Sequence, residues 1–544
     1  MSGALCAAVV ALCQQLRPGL TPVSADRVTR VAGQLSGPLR LVVAGRIGSG
    51  KSTVVNALIG RRVAPTDVRE CTRLVTRFRY GTVDRVEVVC ADGGQITVPY
   101  DGEGLVPRDL GVDPGRVAYL DAFLTSAMLR SMTVIDTPGL GSLDRATSRR
   151  TEVLLGAAGG ALPFGPDTDS ADAGTGDHQP GRYNQSDRYN ESGLDAGSRA
   201  ALAQAEAVLF VLTQAARADD AQALSAFHAR SVPRAGGPAN AVAVLNRADQ
   251  VVAGSGTDPT AVDPMAADPM VAARGLAAAA ATALRHRVFD VLPLAGLVAE
   301  TTETGCLTQA DADVLRQIAA LDPPRRDLLF YSTDLFVRPE IPVPVAARAR
   351  LLERLDLYGV RRAVGLILDR PTLTAGELRR ALVGLSGFPV VRDVVEGVFG
   401  RRADGIKAGV ALAALDEVAA RAPVPVDRLR IRDAVEGLLA RPAAHQLRLF
   451  EAASLVASGT VSLPDDLSGE LSLLVGSDEP ARQLGVQDAD PGTLRQLALD
   501  RAVRWRSFAT AGSTPAQSRV AHEVHRGFFL LWQRLGPDPH PGAR

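Results

Sequence analysis

Between about residues 37 and 370, short apolar runs alternate with longer segments of helical spacing. The runs begin near residues 41, 86, 132, 207, 241 and 288. Continuous apolar runs of this kind are typical of strands that are buried on both faces of a parallel sheet. We therefore predict an α/β fold with a doubly wound, mostly parallel sheet, which binds ligands at the carboxyl ends of its strands.

The pattern changes near residue 371, and from there apolar residues recur at three- and four-residue steps without evident strands. This spacing predicts an all-helical half of the chain. We divide it into helices over 371–492, a last helical segment over 493–535 with a break near residue 512, and a tail over 536–544.

One part of the helical half, residues 382–391, is apolar, interrupted by glycine and flanked by arginines. We interpret it as a bend between two packed helices. The alternative is a tip that dips into a membrane interface.

An apolar decamer, Ala4 to Cys13, lies near the N-terminus. No Lys or Arg precedes it, and Leu12 stands where a lipoprotein signal needs a small residue. We therefore predict an amphipathic helix that ends near Gly19, rather than a signal peptide, and place N-terminal helices over 1–36. No apolar run is long enough to span a bilayer as a helix.

The segment over 156–198 is rich in Gly, Asp, Ser, Asn and Pro, and contains a short duplication at 182–187 and 188–192. It has few large aliphatic residues, so it cannot bury enough surface to offset the entropy of ordering. We predict a disordered insertion at the ligand-binding edge of the sheet. We favour a tolerated insertion, with a docking or regulatory segment as the alternative.

Composition argues against several classes of protein. The chain has 544 residues, so about two or three domains are expected. Lys plus Arg and Asp plus Glu both number 60, and this zero net charge gives no reason to expect nucleic acid as a partner. Local basic patches could still contact an anionic membrane surface. The five cysteines include no C-x-x-C pair, which argues against zinc and disulfides and fits the reducing cytoplasm.

The strongest chemical signal is the octapeptide Gly45-Arg46-Ile47-Gly48-Ser49-Gly50-Lys51-Ser52, which stands between a predicted strand and a predicted helix. This arrangement binds phosphates, because loop N–H groups and the helix N-terminus converge on them. Lys51 would reach the β- and γ-phosphates, and the Ser52 hydroxyl would hold Mg2+. The predicted phosphate-binding residues are Gly45, Gly48, Ser49, Gly50, Lys51, Ser52 and Thr53.

A second signal, Asp136-Thr137-Pro138-Gly139, ends the apolar run that begins at residue 132. Asp136 would contact Mg2+ through water, and the Gly139 N–H would sense the γ-phosphate, so this segment would be a nucleotide-dependent switch. Alone, the pattern is also typical of an ordinary strand followed by a Pro-Gly turn. Its position after the phosphate-binding loop favours the switch.

A third signal, Asn246-Arg247-Ala248-Asp249, has the form N-K-x-D with Arg in place of Lys. The Asp249 carboxylate can accept hydrogen bonds from the N1–H and the exocyclic amine of guanine, which adenine does not offer. Asn246 would tie this loop to the phosphate-binding loop, and Arg247 would lie over the base. Ala295 and Gly296 would close over the base. The ligand predicted by these residues is GTP or GDP.

Motifs beyond these three continue along the chain in a fixed order. They are Asn56-Ala57-Leu58-Ile59-Gly60, Pro65, Thr72 and Tyr80-Gly81, followed by Leu351-Leu352-Glu353-Arg354 with Gly359, and Phe399 to Ala408. They resemble the dynamin superfamily, and most closely the isoniazid-inducible dynamin-like GTPases of actinobacteria, in which L-L-E-R-x-x-x-x-G and F-x-x-R-x-D-x-L-K-A segments occur. The resemblance covers about residues 40–530.

This resemblance implies a GTPase domain over 37–370 and a helical trunk over 371–492. The last helices, 493–535, would pack with the N-terminal helices, 1–36, as a hinged neck. The resemblance also implies Mg2+-dependent GTP hydrolysis, a dimer formed through the GTPase domains, and a cytoplasmic location peripheral to the inner face of the cell membrane. Thr72 would be the switch-one threonine that ligates Mg2+ and orients the attacking water.

Two positions depart from the family pattern. Ile47 stands where dynamins often have Gln, and Gly48 stands where a donor such as Ser is usual, so the attacking water lacks an obvious guide. Arg46 would act on developing charge as an arginine finger, or is a solvated loop arginine. The open alternatives are a soluble regulatory or assembly GTPase and a weakly hydrolysing partner of a dynamin-like paralogue.

Overall fold

The computed structural model describes most of the chain. The described residues are 3–65, 74–137, 205–213, 216–231, 240–251, 268–284, 287–400, 402–441, 444–457, 460–477, 479–487, 489–511 and 513–536. The predicted insertion at 156–198 and the predicted tail after residue 536 lie outside them.

Among the described residues, a nine-stranded sheet forms the centre of the N-terminal region. Its strands are β1 (Leu39–Gly45), β2 (Thr76–Tyr80), β3 (Arg85–Cys90), β4 (Gln95–Val98), β5 (Val117–Leu124), β6 (Met132–Asp136), β7 (Ala207–Leu212), β8 (Ala241–Asn246) and β9 (Val291–Leu294). Their order is β4-β3-β5-β2-β6-β1-β7-β8-β9.

Parallel pairing predominates in this sheet. β1 pairs in parallel with both β6 and β7, and the pairs β7–β8, β8–β9 and β2–β5 are also parallel. The pairs β2–β6, β3–β4 and β3–β5 are antiparallel. The predicted doubly wound, mostly parallel sheet is confirmed, and β1 ends at its centre, where the octapeptide begins.

Three strands are not predicted by the apolar pattern. β2 carries arginines at alternate positions, and β4 is exposed along most of its length. β5 contains Asp121, which is buried and accepts a hydrogen bond from Arg77 of β2 at 2.6 Å. The Arg77 guanidinium compensates this buried charge from the neighbouring strand, so a polar residue is tolerated inside the sheet.

Helices cover both faces of the sheet. The helices up to residue 394, not all of which touch the sheet, are α1 (Ala4–Leu16), α2 (Pro22–Gln34), α3 (Lys51–Ile59), α4 (Ala218–Ser231), α5 (Pro269–Ala283), α6 (Gly296–Glu303), α7 (Gln309–Ala319), α8 (Pro323–Leu329), α9 (Thr333–Val337), α10 (Val345–Asp369), α11 (Ala375–Leu385) and α12 (Phe388–Val394). Along β1, Val42 and Ala44 enter the core that includes α5, α7 and α10, while Leu41 and Val43 enter the core that includes α3 and α12.

Residues 382–391 form the predicted bend. α11 ends at Leu385 and α12 begins at Phe388, with Gly387 between them at φ 81°. A Cβ on Gly387 would lie 2.4 Å from the carbonyl oxygen of Pro293, so the chain passes close to β9. Phe388 and Val391 are buried in the same core as β1. This burial favours the bend over the alternative of a membrane-dipping tip.

The remaining helices are α13 (Ala403–Ala420), α14 (Pro425–Leu439), α15 (His445–Ala457), α16 (Asp465–Gly476), α17 (Pro480–Gln483), α18 (Pro491–Thr510) and α19 (Pro515–Arg534). The predicted all-helical half is confirmed. In the described part of the chain, every helix is too short or too polar to cross a bilayer.

The N-terminal helices share one apolar cluster with α13 and α14. The backbone amides of Leu5 and Cys6 at the start of α1 donate to the Asp404 carboxylate, each at 2.9 Å. Lys407 donates to the carbonyl oxygens of Leu35, at 2.8 Å, and of Gly37, just after α2. Two polar residues of the F-x-x-R-x-D-x-L-K-A segment therefore satisfy the free backbone groups at both ends of the α1–α2 pair.

The C-terminal helices α18 and α19 form another cluster with α15 and α16, centred on Trp505 and Phe528. Trp505 donates its indole N–H to Glu470 of α16 at 2.8 Å, which fixes this partner specifically. The prediction that the last helices pack with the N-terminal helices is wrong, because the buried apolar residues of α1 and α2 face α13 and α14 instead.

Candidate functional site

Glycines shape the loop between β1 and α3, which we call the P-loop (residues 45–52). Gly45 has φ 153° and Gly50 has φ 86°. A Cβ on Gly45 would lie 2.4 Å from the Val211 carbonyl oxygen, and a Cβ on Gly50 would lie 2.2 Å from the Asn246 amide nitrogen. Only glycine fits these two positions. The first amides of α3 therefore point into the loop, as phosphate binding requires.

Lys51 folds back over the P-loop at the start of α3. Its ammonium group donates to the carbonyl oxygens of Gly45 at 3.2 Å and Arg46 at 3.0 Å, and the side chain is 7% exposed. Thr53, in the same helical turn, is 8% exposed. The positive charge is thus held at the mouth of the loop, where the amides converge.

Asp136 ends β6 beside the P-loop. Its Oδ2 accepts a hydrogen bond from the Ser52 hydroxyl at 2.9 Å, and its Oδ1 has no partner among the described residues. Burial raises the pKa of Asp136 to about 6, against the opposing effects of Lys51 and the Ser52 hydrogen bond. A buried oxygen without a partner beside a serine hydroxyl fits a hard cation such as Mg2+.

The segment after β8 is joined to the P-loop by two contacts. Asn246 donates its side-chain amide to the Ser49 carbonyl at 2.8 Å, which is the predicted tie. Arg247, in the left-handed conformation at φ 56°, donates to the Gly48 carbonyl at 2.9 Å. Both contacts fix the segment over the P-loop.

Ala295 and Gly296 lie beside the Asn246 side chain, where β9 leads into α6. A Cβ on Gly296 would lie 2.3 Å from the Asn246 Oδ1, an oxygen that has no partner among the described residues. Ala295 is buried and its N–H donates to the Ser386 carbonyl at 2.9 Å. These contacts position the Asn246 side chain, and direct contact of either residue with a base stays a prediction.

Asp249 lies in a short turn, Ala248–Gln250, directly after this segment. Its side chain is half-buried. Burial raises its pKa to about 6, the negative charge of Asp356 adds to this effect, and Arg247 opposes it. The carboxylate is therefore charged at neutral pH, the form that accepts hydrogen bonds from guanine.

Three further P-loop residues bear on whether the loop could guide an attacking water. Arg46 forms an ion pair with the buried Asp220 of α4 at 3.2 Å, so it is held to one side of the loop. Ile47 is 43% exposed and offers no hydrogen bond. Gly48, at φ 71°, has open space where a side chain would stand. Thr72 and Gly139, predicted to sense Mg2+ and the γ-phosphate, lie outside the described residues.

One structural residue beside the site was not predicted. Asn56 of α3 donates to the Glu300 carboxylate at 2.7 Å and to the Ala64 carbonyl at 2.9 Å, and its oxygen accepts from Val63 and Ala64. It fixes the chain that leaves α3 toward the segment containing Thr72. The available signal was the Asn of the N-A-L-x-G motif.

Several known proteins resemble this chain. The Dynamin family model matches residues 41–100, which include the P-loop. The isoniazid-induced protein IniC of Mycobacterium tuberculosis is 30% identical over 491 residues, or 89% of this chain and 87% of that protein. The bacterial dynamin-like protein of Nostoc punctiforme is 29% identical over 133 residues, or 22% of this chain and 19% of that protein. A solved structure of an oligomerised bacterial dynamin pair matches at a TM-score of 0.28 and 10% identity, covering 98% of this chain and 74% of that chain.

A P-loop occurs in many families of nucleotide-binding proteins, so it does not identify one of them. The similarity to IniC extends over 491 residues and therefore includes the sheet and the helical half. On the strength of this similarity, with the family match at the P-loop, the chain belongs to the dynamin family.

Proposed function

We propose that the chain is a dynamin-like GTPase that binds GTP with Mg2+ and hydrolyses it. The observation that supports this most directly is the cluster at one edge of the sheet, where Lys51, the Ser52–Asp136 pair and the Asn246 tie meet. Buried oxygens of Ser49, Asp136 and Asn246 have no partner among the described residues. Unpaired buried polar atoms cost free energy, so a cluster of them is typical of a ligand site.

Each group would have a separate task. The P-loop amides and Lys51 would hold the phosphates, and Asp249 would select guanine. Mg2+ would be held by Ser52 and Thr72, with Asp136 acting through water, and would offset charge on the phosphates. Hydrolysis of a triphosphate needs little covalent help, because positioning and charge compensation supply most of the catalysis.

Efficient hydrolysis would require a second GTPase domain. Ile47 and Gly48 give an attacking water no hydrogen bond, and Arg46 is paired with Asp220. A dimer formed across the nucleotide edge would supply the missing group or release Arg46 from its pair. The same observation favours a second candidate function, a weakly hydrolysing partner of a dynamin-like paralogue.

Phosphate release measured against protein concentration separates these two functions. A self-activating dimer gives turnover per molecule that rises with concentration and is lost when Mg2+ is chelated. A partner subunit binds GTP but releases phosphate at the background rate at every concentration. A protein that fails to bind any guanine nucleotide contradicts both.

We further propose that the protein acts at an anionic membrane surface on the cytoplasmic side. The α1–α2 turn lies against the start of α14, where the Thr21 hydroxyl donates to Asp427 at 2.6 Å. At this end Val23, Val426 and Leu429 are 52%, 51% and 61% exposed. The neighbouring arginines are Arg17, Arg421, Arg428, Arg430 and Arg432. Exposed aliphatic side chains among arginines suit contact with anionic lipid.

Co-sedimentation with vesicles tests the membrane proposal. Wild type should pellet with anionic vesicles and not with neutral ones, and Val426→Asp with Leu429→Asp should abolish pelleting because it removes apolar contact and adds repelled charge. Val503→Asp on α18, at a valine that is 56% exposed, is the matched control. No pelleting of wild type with either vesicle favours a soluble regulatory or assembly GTPase.

A further inference from the structure

α10 contains a residue in a backbone conformation that is almost restricted to glycine. Asp356 has φ 53° and ψ 175°, and it divides α10 into two helical segments. A non-glycine residue stays in this region only where the surrounding contacts hold it there. The contacts of Asp356 therefore indicate what the break is for.

The Asp356 carboxylate joins the break to the base-recognition turn. Its Oδ1 accepts from the Leu357 N–H at 2.6 Å, which caps the second segment of α10. Its Oδ2 accepts from the side-chain amide of Gln250 at 2.7 Å. Gln250 directly follows Asp249, so one carboxylate binds both the helix break and the turn that carries Asp249.

The other side of the break is bound by α6. The Thr301 hydroxyl of α6 donates to the carbonyl of Arg354, just before the break. A Cβ on Gly359, just after the break, would lie 2.7 Å from Val298 of α6. α6 begins at Gly296, which lies against the Asn246 side chain. The break therefore contacts both α6, which positions Asn246, and the turn that carries Asp249.

The charge of Asp356 also acts on Asp249. It raises the pKa of Asp249, in addition to the larger effect of burial. The charges that act on Asp249 are Asp356 and Arg247. Tyr358 of α10 faces Asp249 as well, and the other charged groups around Tyr358 are Arg362 of α10, Arg274 of α5 and Asp268 at the start of α5.

We propose that Asp356 is a positioning residue for guanine recognition, which holds Gln250, and through it Asp249, in place from the break in α10. The inference rests on the proposed function, since it concerns the same nucleotide.

Asp356→Gly and Gln250→Ala test the contact in the full chain. Glycine tolerates the backbone conformation of the break, so Asp356→Gly removes the carboxylate, and with it the Leu357 cap, without straining the backbone. Each variant should weaken binding of fluorescent GDP about 5-fold without Mg2+, and the double variant should bind no more weakly than Asp356→Gly alone, because both substitutions remove the same Gln250–Asp356 contact. The melting temperature of Gln250→Ala should equal that of wild type, which separates positioning from folding.

Asp356→Asn adds a readout that a purely structural role would not change. Asparagine keeps an acceptor for Leu357 but removes the charge, so the pKa of Asp249 should fall. GDP affinity should then decline less between pH 7.5 and pH 5.5 than it does in wild type.

If wild type binds GDP, and Asp356→Gly and Gln250→Ala bind it with the same affinity as wild type, this inference is overturned and the proposed function is not. Reductions that multiply in the double variant also overturn it, because the two residues would then act separately. Failure of wild type to bind GDP overturns the proposed function together with this inference.

Discussion

The chain contains two lysines, one at the P-loop edge of the sheet and one in the helical half. Lys51 lies in the P-loop and Lys407 lies near the start of α13, and each is 7% exposed. Each ammonium group donates to two backbone carbonyl oxygens, Lys51 to those of its own loop and Lys407 to those that follow α2. By burial and hydrogen bonding the two are nearly the same.

They differ in what surrounds them. The carbonyls bound by Lys407 follow the last turn of α2, where helical partners end, so its contacts complete a helix. Lys51 instead faces Asp136, whose pKa it lowers and whose Oδ1 has no partner in the described chain. The comparison teaches that a buried lysine is structural where the polar groups around it are satisfied, and indicates a ligand where they are not.

Replacing each lysine by alanine is the strongest test of this difference. Lys51→Ala should weaken GTP binding about 100-fold, because a charge-assisted contact with the phosphates is lost. Lys407→Ala should lower the free energy of unfolding by about 1–3 kcal/mol, because buried carbonyls lose their partner, and leave GTP affinity unchanged. Titration calorimetry and denaturant unfolding measure the two quantities. GTP affinity that falls equally in both variants would refute the distinction.

The base-recognition turn is the next test of the nucleotide edge. Asp249→Asn should weaken GTP binding about 30-fold, because the negative charge is lost and one acceptor oxygen becomes an NH2 group that faces a guanine N–H donor. It should strengthen binding of xanthosine triphosphate, whose base carries a carbonyl where guanine has its amine. Competition between the two nucleotides against a fluorescent GDP measures the ratio. An unchanged preference for GTP would exclude guanine selection by Asp249.

Acid should produce the smallest effect, confined to the nucleotide edge. The pKa of Asp249 is raised to about 6, so the charged form that binds guanine predominates above that pH and is lost below it. GDP affinity, measured with a chelator present, should fall about 4-fold from pH 7.5 to pH 5.5, because the charged fraction of the Asp249 carboxylate falls by about that factor. The same titration on Asp249→Asn should be nearly flat. A wild-type affinity that rises on acidification would show that another group controls binding.

Local signals predicted the arrangement of the P-loop and its neighbours, while nucleotide binding there stays a prediction. The glycines, Lys51 and Ser52 are contiguous in sequence, and their spacing alone requires a strand, a loop and a helix. The tie between Asn246 and the P-loop was also predictable, because parallel strands end at the same edge of a sheet. β5 was missed because Asp121 interrupts its apolar run and is compensated by Arg77 and Arg79 of another strand.

Contacts between distant residues could not be read from the pattern. Asp404 caps α1 from 399 positions away, and Arg46 pairs with Asp220 from 174 positions away. In the sequence, Asp404, Arg46 and Asp220 each resemble an ordinary polar residue, and nothing near them indicates the partner. The break in α10 is hidden for another reason: Asp356 is not the glycine that its backbone conformation would predict. Packing of the terminal helices depends on such contacts, which is why it was predicted wrongly.

The scarcity of lysine has a chemical consequence. The side-chain amines open to an amine-modifying reagent are those of Lys51 and Lys407, and both side chains are almost fully covered. Bound nucleotide would shield Lys51 from the reagent and leave the reactivity of Lys407 unchanged. The ratio of label at the two lysines would therefore report how much of the P-loop is occupied, with Lys407 as the internal standard.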